Sequence, residues 1–254
     1  MFLKCTIDLN KSIMKRTIFF AYLIIALFSC CTSFKVNLAF KILGIYDDSV
    51  KITKLTSNEK EVIFIPMHHL GTAAFYNDVK NKIDSLKKEG YFFYTEEVKG
   101  SKKDSITIRK SIKLTGVPFS RNNIGYKAYF DSIYKGKVKF KKEITNQPSY
   151  VGFGLDEKDS KTVDVTLKEM IDYYEGKYGV IKLEPCDFEK SIYEKPSCTS
   201  KPINKDVEED VYVNFRNKNV LKTYLNDDHK KIAIIYGKGH FKGIKEELLK
   251  LGFK

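Results

Sequence analysis

The chain has 254 residues, with 45 basic and 32 acidic side chains and a formal charge of +13. Apolar residues make up 43%, including 18 Phe and 16 Tyr, enough to bury a core and so to exclude wholesale disorder. There is no heptad composition, no collagen period and no second long apolar run, which excludes fibrous and polytopic membrane proteins.

At the N-terminus, Lys15-Arg16 precede a nearly unbroken apolar run from Ile18 to Phe28. A basic region followed by an apolar stretch short for spanning a bilayer is the pattern of a secretory signal. Met14, directly before the basic pair, offers an alternative start, with residues 1–13 an extension. The ending Leu27-Phe28-Ser29-Cys30 resembles a bacterial lipoprotein signal, with Cys30 as the lipidated residue. That resemblance implies an exported protein anchored by several acyl chains to a membrane of the cell envelope. An ordinary cleaved signal and an uncleaved N-terminal anchor are the other readings of this segment.

Residues 1–29 hold four cations and one anion, so the remainder still carries +10. Its lysines are scattered and form no recognisable nucleic-acid module, so no nucleic-acid partner is expected. The densest stretch alternates as Lys137-Val138-Lys139-Phe140-Lys141 and reads as the solvated face of a strand, with contact to an acidic membrane or ligand as the alternative. Cys186 and Cys198 lie in a Pro-rich segment that an exporting compartment would permit to pair; a disulfide and two free thiols both remain open. With no CxxC, a thiolate metal cluster is not expected.

No low-complexity linker divides residues 35–254, so residues 30–254 read as one domain. Phe40 to Ile45 and Val50 to Leu55, flanking Asp47-Asp48-Ser49, predict a hairpin. Glu61 to Ile65 is a buried-strand run. A helix over Ala73 to Lys88 follows, with Phe75, Val79, Ile83 and Leu86 on one face, closed by Gly90 and leading to a strand at Tyr91–Tyr94. Asn122 to Tyr134 predicts a helix; Thr166-x-x-Glu169 is a capping box opening another, with Leu167, Met170, Ile171 and Tyr174 as its face. A short strand is expected at Gly179–Leu183, then an irregular insertion over about 184–209 and a helix over Val211–Leu225. Lys231–Tyr236 reads as a strand and Ile244–Leu251 as the closing helix. This alternation predicts an α/β fold: a central, largely parallel sheet flanked by helices, with an N-terminal β-hairpin at its edge.

Ligands of such sheets gather at the C-terminal ends of the strands. His68 and His69 follow one buried strand, His240 follows another, and Glu96-Glu97 follow a third. Imidazole with carboxylate serves as a first shell for a divalent metal or as an acid/base pair. Gly237 and Gly239 could form a tight turn or a backbone cradle for an anion, and they match neither a Walker motif nor a dinucleotide fingerprint. Each piece alone also describes an ordinary surface residue; their conjunction is what points to a site.

Together, Pro66-x-x-His69, Glu96 after its strand, Arg216-Asn217 and Gly237-x-Gly239-His240-x-x-Gly243 resemble the TraB/Tiki-like family, which is grouped with erythromycin-esterase-like and ChaN-like proteins. Pro66 departs from the family's glycine. The resemblance spans roughly residues 60–254 and implies an α/β fold with both His motifs in one cleft. It also implies metal-dependent hydrolysis of the peptidase kind, on a peptide or small-molecule substrate. Carried over, His69, Glu96 and His240 would be the metal or acid/base set, with Mn, Co or Zn as the ion. Arg216 would hold a carboxylate or stabilise an oxyanion. His68 is the alternate for His69, and Glu97 for Glu96. A non-catalytic lipoprotein binding haem, a metal or an anionic ligand is the rival expectation, since the ChaN-like branch includes a haem binder.

Overall fold

The computed structural model describes residues 32–101, 103–119, 125–198 and 203–254. The expected signal segment, Met14 and Cys30 lie outside them. In chain order the strands are β1 (Thr53–Thr56), β2 (Glu61–Met67), β3 (Leu70–Gly71), β4 (Phe92–Thr95), β5 (Thr145–Asn146), β6 (Ser160–Thr162) and β7 (Lys231–Gly237). The helices are α1 (Thr32–Leu43), α2 (Ala73–Lys88), α3 (Ser105–Thr115), α4 (Tyr126–Tyr134), α5 (Leu167–Tyr178), α6 (Lys205–Glu209), α7 (Phe215–Leu225) and α8 (Phe241–Lys250).

Five strands form one sheet in the order β1-β2-β7-β4-β6, antiparallel only at β1–β2. The fold is therefore α/β, as the alternation of elements predicts. The last strand, β7, slots between β2 and β4, in register Met67↔Gly237 on one side and Thr95↔Ile235 on the other. Parallel pairing puts the C-terminal ends of β2, β7, β4 and β6 on one edge, which is what brings distant motifs together.

Alternation along the strands divides the core in two. Ile63, Ile65 and Met67 of β2, Phe93 of β4, and Ala233 and Ile235 of β7 pack under α2 with its Phe75, Val79, Ile83 and Leu86. Val62, Phe64, Tyr94, Ile232, Ile234 and Tyr236 face the other way, against Val220, Leu221 and Tyr224 of α7 and Ile244 and Leu248 of α8. Burial on both faces is why β2 and β7 read as continuous apolar runs. Each fully buried aliphatic or aromatic side chain here contributes about 1.5–3 kcal/mol.

The α2 helix has the bounds its pattern predicts: Thr72 caps it by accepting from Phe75 N at 3.1 Å, and Gly90 leaves it at φ 82°. The capping box of α5 also forms, with Glu169 N donating to Thr166 Oγ1 and Thr166 N to Glu169 Oε2. The region 184–209 holds one short 3-10 turn (Pro185–Phe188), a Cys186–Cys198 disulfide and α6.

Four expectations need correction. The hairpin is β1–β2, joined through Ser57–Lys60, while Phe40–Leu43 belong to α1. In α1 the residues that pack are Val36, Asn37 and Phe40, a spacing of three to four rather than two. No strand forms at 179–183: Val180 is 71% exposed, and Ile181 packs on Leu114 of α3 and Ile171 of α5. Lys137–Lys141 is extended but outside either sheet, since α1 side chains satisfy its backbone. Asn37 Nδ2 donates to Lys139 O at 2.8 Å, Lys141 N donates to Asn37 Oδ1 at 2.9 Å, and Lys139 N donates to Ser33 Oγ at 3.1 Å. Of the helix expected over Asn122–Tyr134, residues 122–124 lie outside the described residues, and Gly125, extended at ψ 163°, is the N-cap of a helix that runs from Tyr126 to Tyr134. No helix among the described residues is long and apolar enough to cross a membrane.

Candidate active site

Four strand ends and one helix converge at the C-terminal edge of the sheet. Glu96 follows β4, Asp164 follows β6 by two residues, and Gly237 ends β7. His240 follows Gly237 after the 3-10 turn Lys238–His240, and Arg216 with Asn217 opens α7. Asp210–Asn214, just before α7, is a π-helical turn in which Phe215 N bonds Asp210 O. Such wide turns shift the helix face that follows, and they recur at functional sites.

Arg216 is 9% exposed and is the hub. Its Nε donates to Asp164 Oδ1 at 2.9 Å and its Nη2 to Asp164 Oδ2 at 2.6 Å, the bidentate fork that Lys cannot copy. Nη2 also donates to Glu96 Oε1 at 2.5 Å, and Nη1 donates to Tyr212 O at 3.3 Å and to His240 Nε2 at 3.1 Å. All five guanidinium N–H groups are thereby committed within the protein. Burial works against the charge of Arg216, but Asp164 and Glu96 outweigh it and raise its pKa.

His240 is 6% exposed, and its Nδ1 lies 2.8 Å from Asn217 Oδ1. An amide oxygen only accepts, so Nδ1 carries the proton and Nε2 presents the lone pair that meets Arg216. Burial first, then the neighbouring guanidinium, lowers the His240 pKa to about 4, which keeps it neutral. Tyr236 packs edge-on against the imidazole, with ring centres 4.8 Å apart, and Arg216 lies 5.5 Å from the Tyr236 ring centre.

The glycines of the last motif have separate jobs. Gly237 N donates to Glu96 Oε2 at 2.5 Å, so the anion held by this backbone is the protein's own carboxylate. Gly243 lies against Asn217: a Cβ there would stand 2.5 Å from Asn217 Nδ2. Gly243→Ala is expected to push Asn217 off His240 and to cost about 1–3 kcal/mol, measurable by urea unfolding. A Cβ on Gly239 would meet nothing within 4 Å.

Of the remaining candidates, His69 joins the edge from β2. Its ring stacks on Tyr126 at 4.1 Å and 6°, it is exposed, and it feels the charges of Glu96 and Arg216. The surrounding protein lowers its pKa by desolvation; Glu96 opposes that and Arg216 adds to it. Tyr150 supports Glu96 from below, its hydroxyl donating to Glu96 O at 2.8 Å and accepting from Glu96 N at 3.0 Å. His68 instead faces Phe75, Lys238 and Asp47, with its pKa lowered first by burial and then by Lys238. Glu97 is exposed and lies 3.8 Å from Lys99, so Glu96 is the glutamate the fold brings in. Pro66 lies on β2 past Phe64, where pairing with β1 has ended, so its missing N–H is tolerated.

Asp164 is absent from the sequence-based set, although its side chain is completely buried on Arg216. Its only signal is a lone carboxylate in Val163-Asp164-Val165, just before a capping box.

The donor types of His69, Glu96 and His240 suit a divalent ion, but their arrangement does not fit one. Their ligand atoms do not all come within 4.8 Å of one another. Arg216 also donates to both His240 Nε2 and Glu96 Oε1, the atoms such an ion would need. Among the described residues the one cluster meeting that distance is Glu184, Cys186 and Cys198, whose sulfurs are bonded to each other.

The fold and this edge define an α/β domain with a buried Arg–carboxylate–imidazole cluster beneath an accessible histidine. No protein-family model matches the chain, and neither a curated protein nor a solved structure matches it.

Proposed function

We propose that this chain is an exported, membrane-anchored hydrolase of the TraB/Tiki-like kind, acting on peptide or small-molecule acyl bonds at the C-terminal edge of its sheet. The observation that carries this reading is the meeting of His69, Glu96, Arg216 and His240, from four separate stretches of sequence, with His69 neutral and open to solvent. A neutral imidazole takes a proton from water at neutral pH, and general-base catalysis of this kind is worth about 10²–10⁴-fold. Glu96 favours the imidazolium that forms, since its charge raises the affinity of His69 for a proton. Arg216, with every N–H committed, is a positioning residue that holds Glu96 and His240 in place; it has no donor left for an oxyanion. Because the donor set does not fit an ion, no step is assigned to one.

The rival is a non-catalytic lipoprotein that binds haem or another ligand; in that reading the closed Arg216 cluster only braces the fold. The two are separated with the full chain in detergent, using p-nitrophenyl acetate and fluorescein-labelled casein as probes. Hydrolysis that falls about 10²-fold or more in His69→Ala, but persists in His229→Ala at the opposite edge, is the expected result. No hydrolysis of either probe, with a Soret band on adding haem, would favour the binder.

A further inference from the structure

We infer that α1 lies in the plane of an anionic membrane surface, with its outer face in the headgroup region and the strand-end site beside it. The inference rests on the membrane-anchored reading and adds how the domain sits on the bilayer.

Helix α1 packs inward through Val36, Asn37 and Phe40, against Phe130, Phe140 and Ile144. Its outer face is apolar and uncovered: Leu38 is 47% exposed, Ile42 73% and Leu43 55%. Leu38 and Ile42 stand one helical turn apart, with Ala39 exposed between them. The helix TSFKVNLAFKIL contains no acidic residue, and its charges are Lys35 and Lys41, both exposed. A helix with an apolar outer face and only cationic charge is suited to the interface of an anionic bilayer.

A second basic strip runs alongside. Lys137, Lys139 and Lys141 alternate in the extended segment that Ser33 and Asn37 bind to α1, and all three are exposed while Val138 is buried. The alternation that reads as a strand face in the sequence thus places cations along the flank of the apolar helix. Such clusters are drawn to anionic lipid headgroups. Continuity of the chain supplies the other argument for a bilayer: Cys30, the lipidated residue of the anchored reading, lies two residues before α1 begins. An N-terminal segment held in the membrane would deliver α1 directly to its surface.

At its other end α1 meets the candidate site, where Lys238, next to Gly237, donates to Leu43 O at 3.2 Å. A bilayer beneath α1 would therefore lie next to the edge that carries His69 and Glu96, favouring substrates held at or near the membrane.

The chain has no tryptophan, so Ile42→Trp supplies a unique reporter. Val180→Trp, at a 71% exposed position remote in sequence, is the control. The full chain is reconstituted with vesicles of equal phosphatidylcholine and phosphatidylglycerol, with and without brominated phosphatidylcholine, and flotation is followed in parallel. The expected result is co-flotation of both variants. The indole emission of Ile42→Trp should shift to the blue and be quenched about twofold by the brominated lipid, while that of Val180→Trp is unaffected. Co-flotation with unquenched, water-like emission from Ile42→Trp would overturn the α1 inference and leave the anchor standing. Failure to float would remove the anchored reading and the inference with it.

Discussion

Arg216→Met should lower the stability of the protein by about 3–5 kcal/mol in urea unfolding at neutral pH, one of the largest single-residue effects expected in this fold. The reason is asymmetry: among the described residues, the guanidinium is the only side chain that hydrogen-bonds the Glu96 carboxylate, and it takes both oxygens of Asp164. Methionine fills much of the same volume but leaves two carboxylates, 13% and 0% exposed, without their counter-charge. Arg216→Lys should lie between, because one ammonium cannot serve a fork, a second carboxylate and an imidazole together. A deficit under about 1 kcal/mol at neutral pH would mean that water reaches the cluster and that it is not the closed hub described.

Stability should also rise with pH between about 4 and 6.5, and His240 should carry much of that slope. The folded pKa of His240 is lowered to about 4, against about 6.5 in an unfolded chain. In this window the unfolded chain binds a proton that the folded one excludes, so acidification favours unfolding. Above pH 6.5 the contribution is complete, and below pH 4 the loss levels off. The span amounts to about 3 kcal/mol as an order of magnitude. His68 and His69, whose pKa values are also lowered, add slope of the same sign. His240→Gln should be less stable at neutral pH, since it loses the Asn217 and Arg216 contacts, but flatter across the window. Urea unfolding at half-unit pH steps reads the slope directly; an unchanged slope in His240→Gln would mean that His240 is protonated in the fold.

Much of the sheet is legible in the sequence because its central strands are covered on both faces. A run such as Lys231–Tyr236 has few other ways to hide five consecutive apolar residues. The α2 helix is legible because cap, apolar face and closing glycine agree. Local pattern without such agreement misleads. The α1 segment has apolar residues both two and four apart, and only its partners Phe130 and Phe140 select the helical spacing. The β6 strand, Ser160-Lys161-Thr162, is an edge strand with no apolar residue, defined by its pairing with β4. Helix α3 escapes a sequence reading although Asp104 caps it and Gly116 closes it at φ 68°, because its Ile- and Thr-rich interior resembles neither template strongly.

The site divides along the same line. His69, Glu96 and His240 are legible as scarce, chemistry-bearing residues at the ends of strong strands. Asp164 is not, because its strand is polar and its partner, Arg216, lies 52 residues away. The full use of Arg216's donors cannot be read either; it emerges only when β4, β6, β7 and α7 are assembled. That saturation is what turns the resemblance-based expectation of a metal centre into a proposal of an acid/base site supported from beneath.

The most direct measurement is hydrolysis of labelled casein and p-nitrophenyl acetate by the full chain after exhaustive dialysis against a chelator, with the metal content determined on the same sample. The expected result is activity that survives the loss of metal, peaks on the alkaline side of the His69 titration and disappears in His69→Ala. Activity lost on chelation and restored by Mn²⁺, Co²⁺ or Zn²⁺ would contradict it, and would require Arg216 to leave His240 Nε2 so that an ion could take its place.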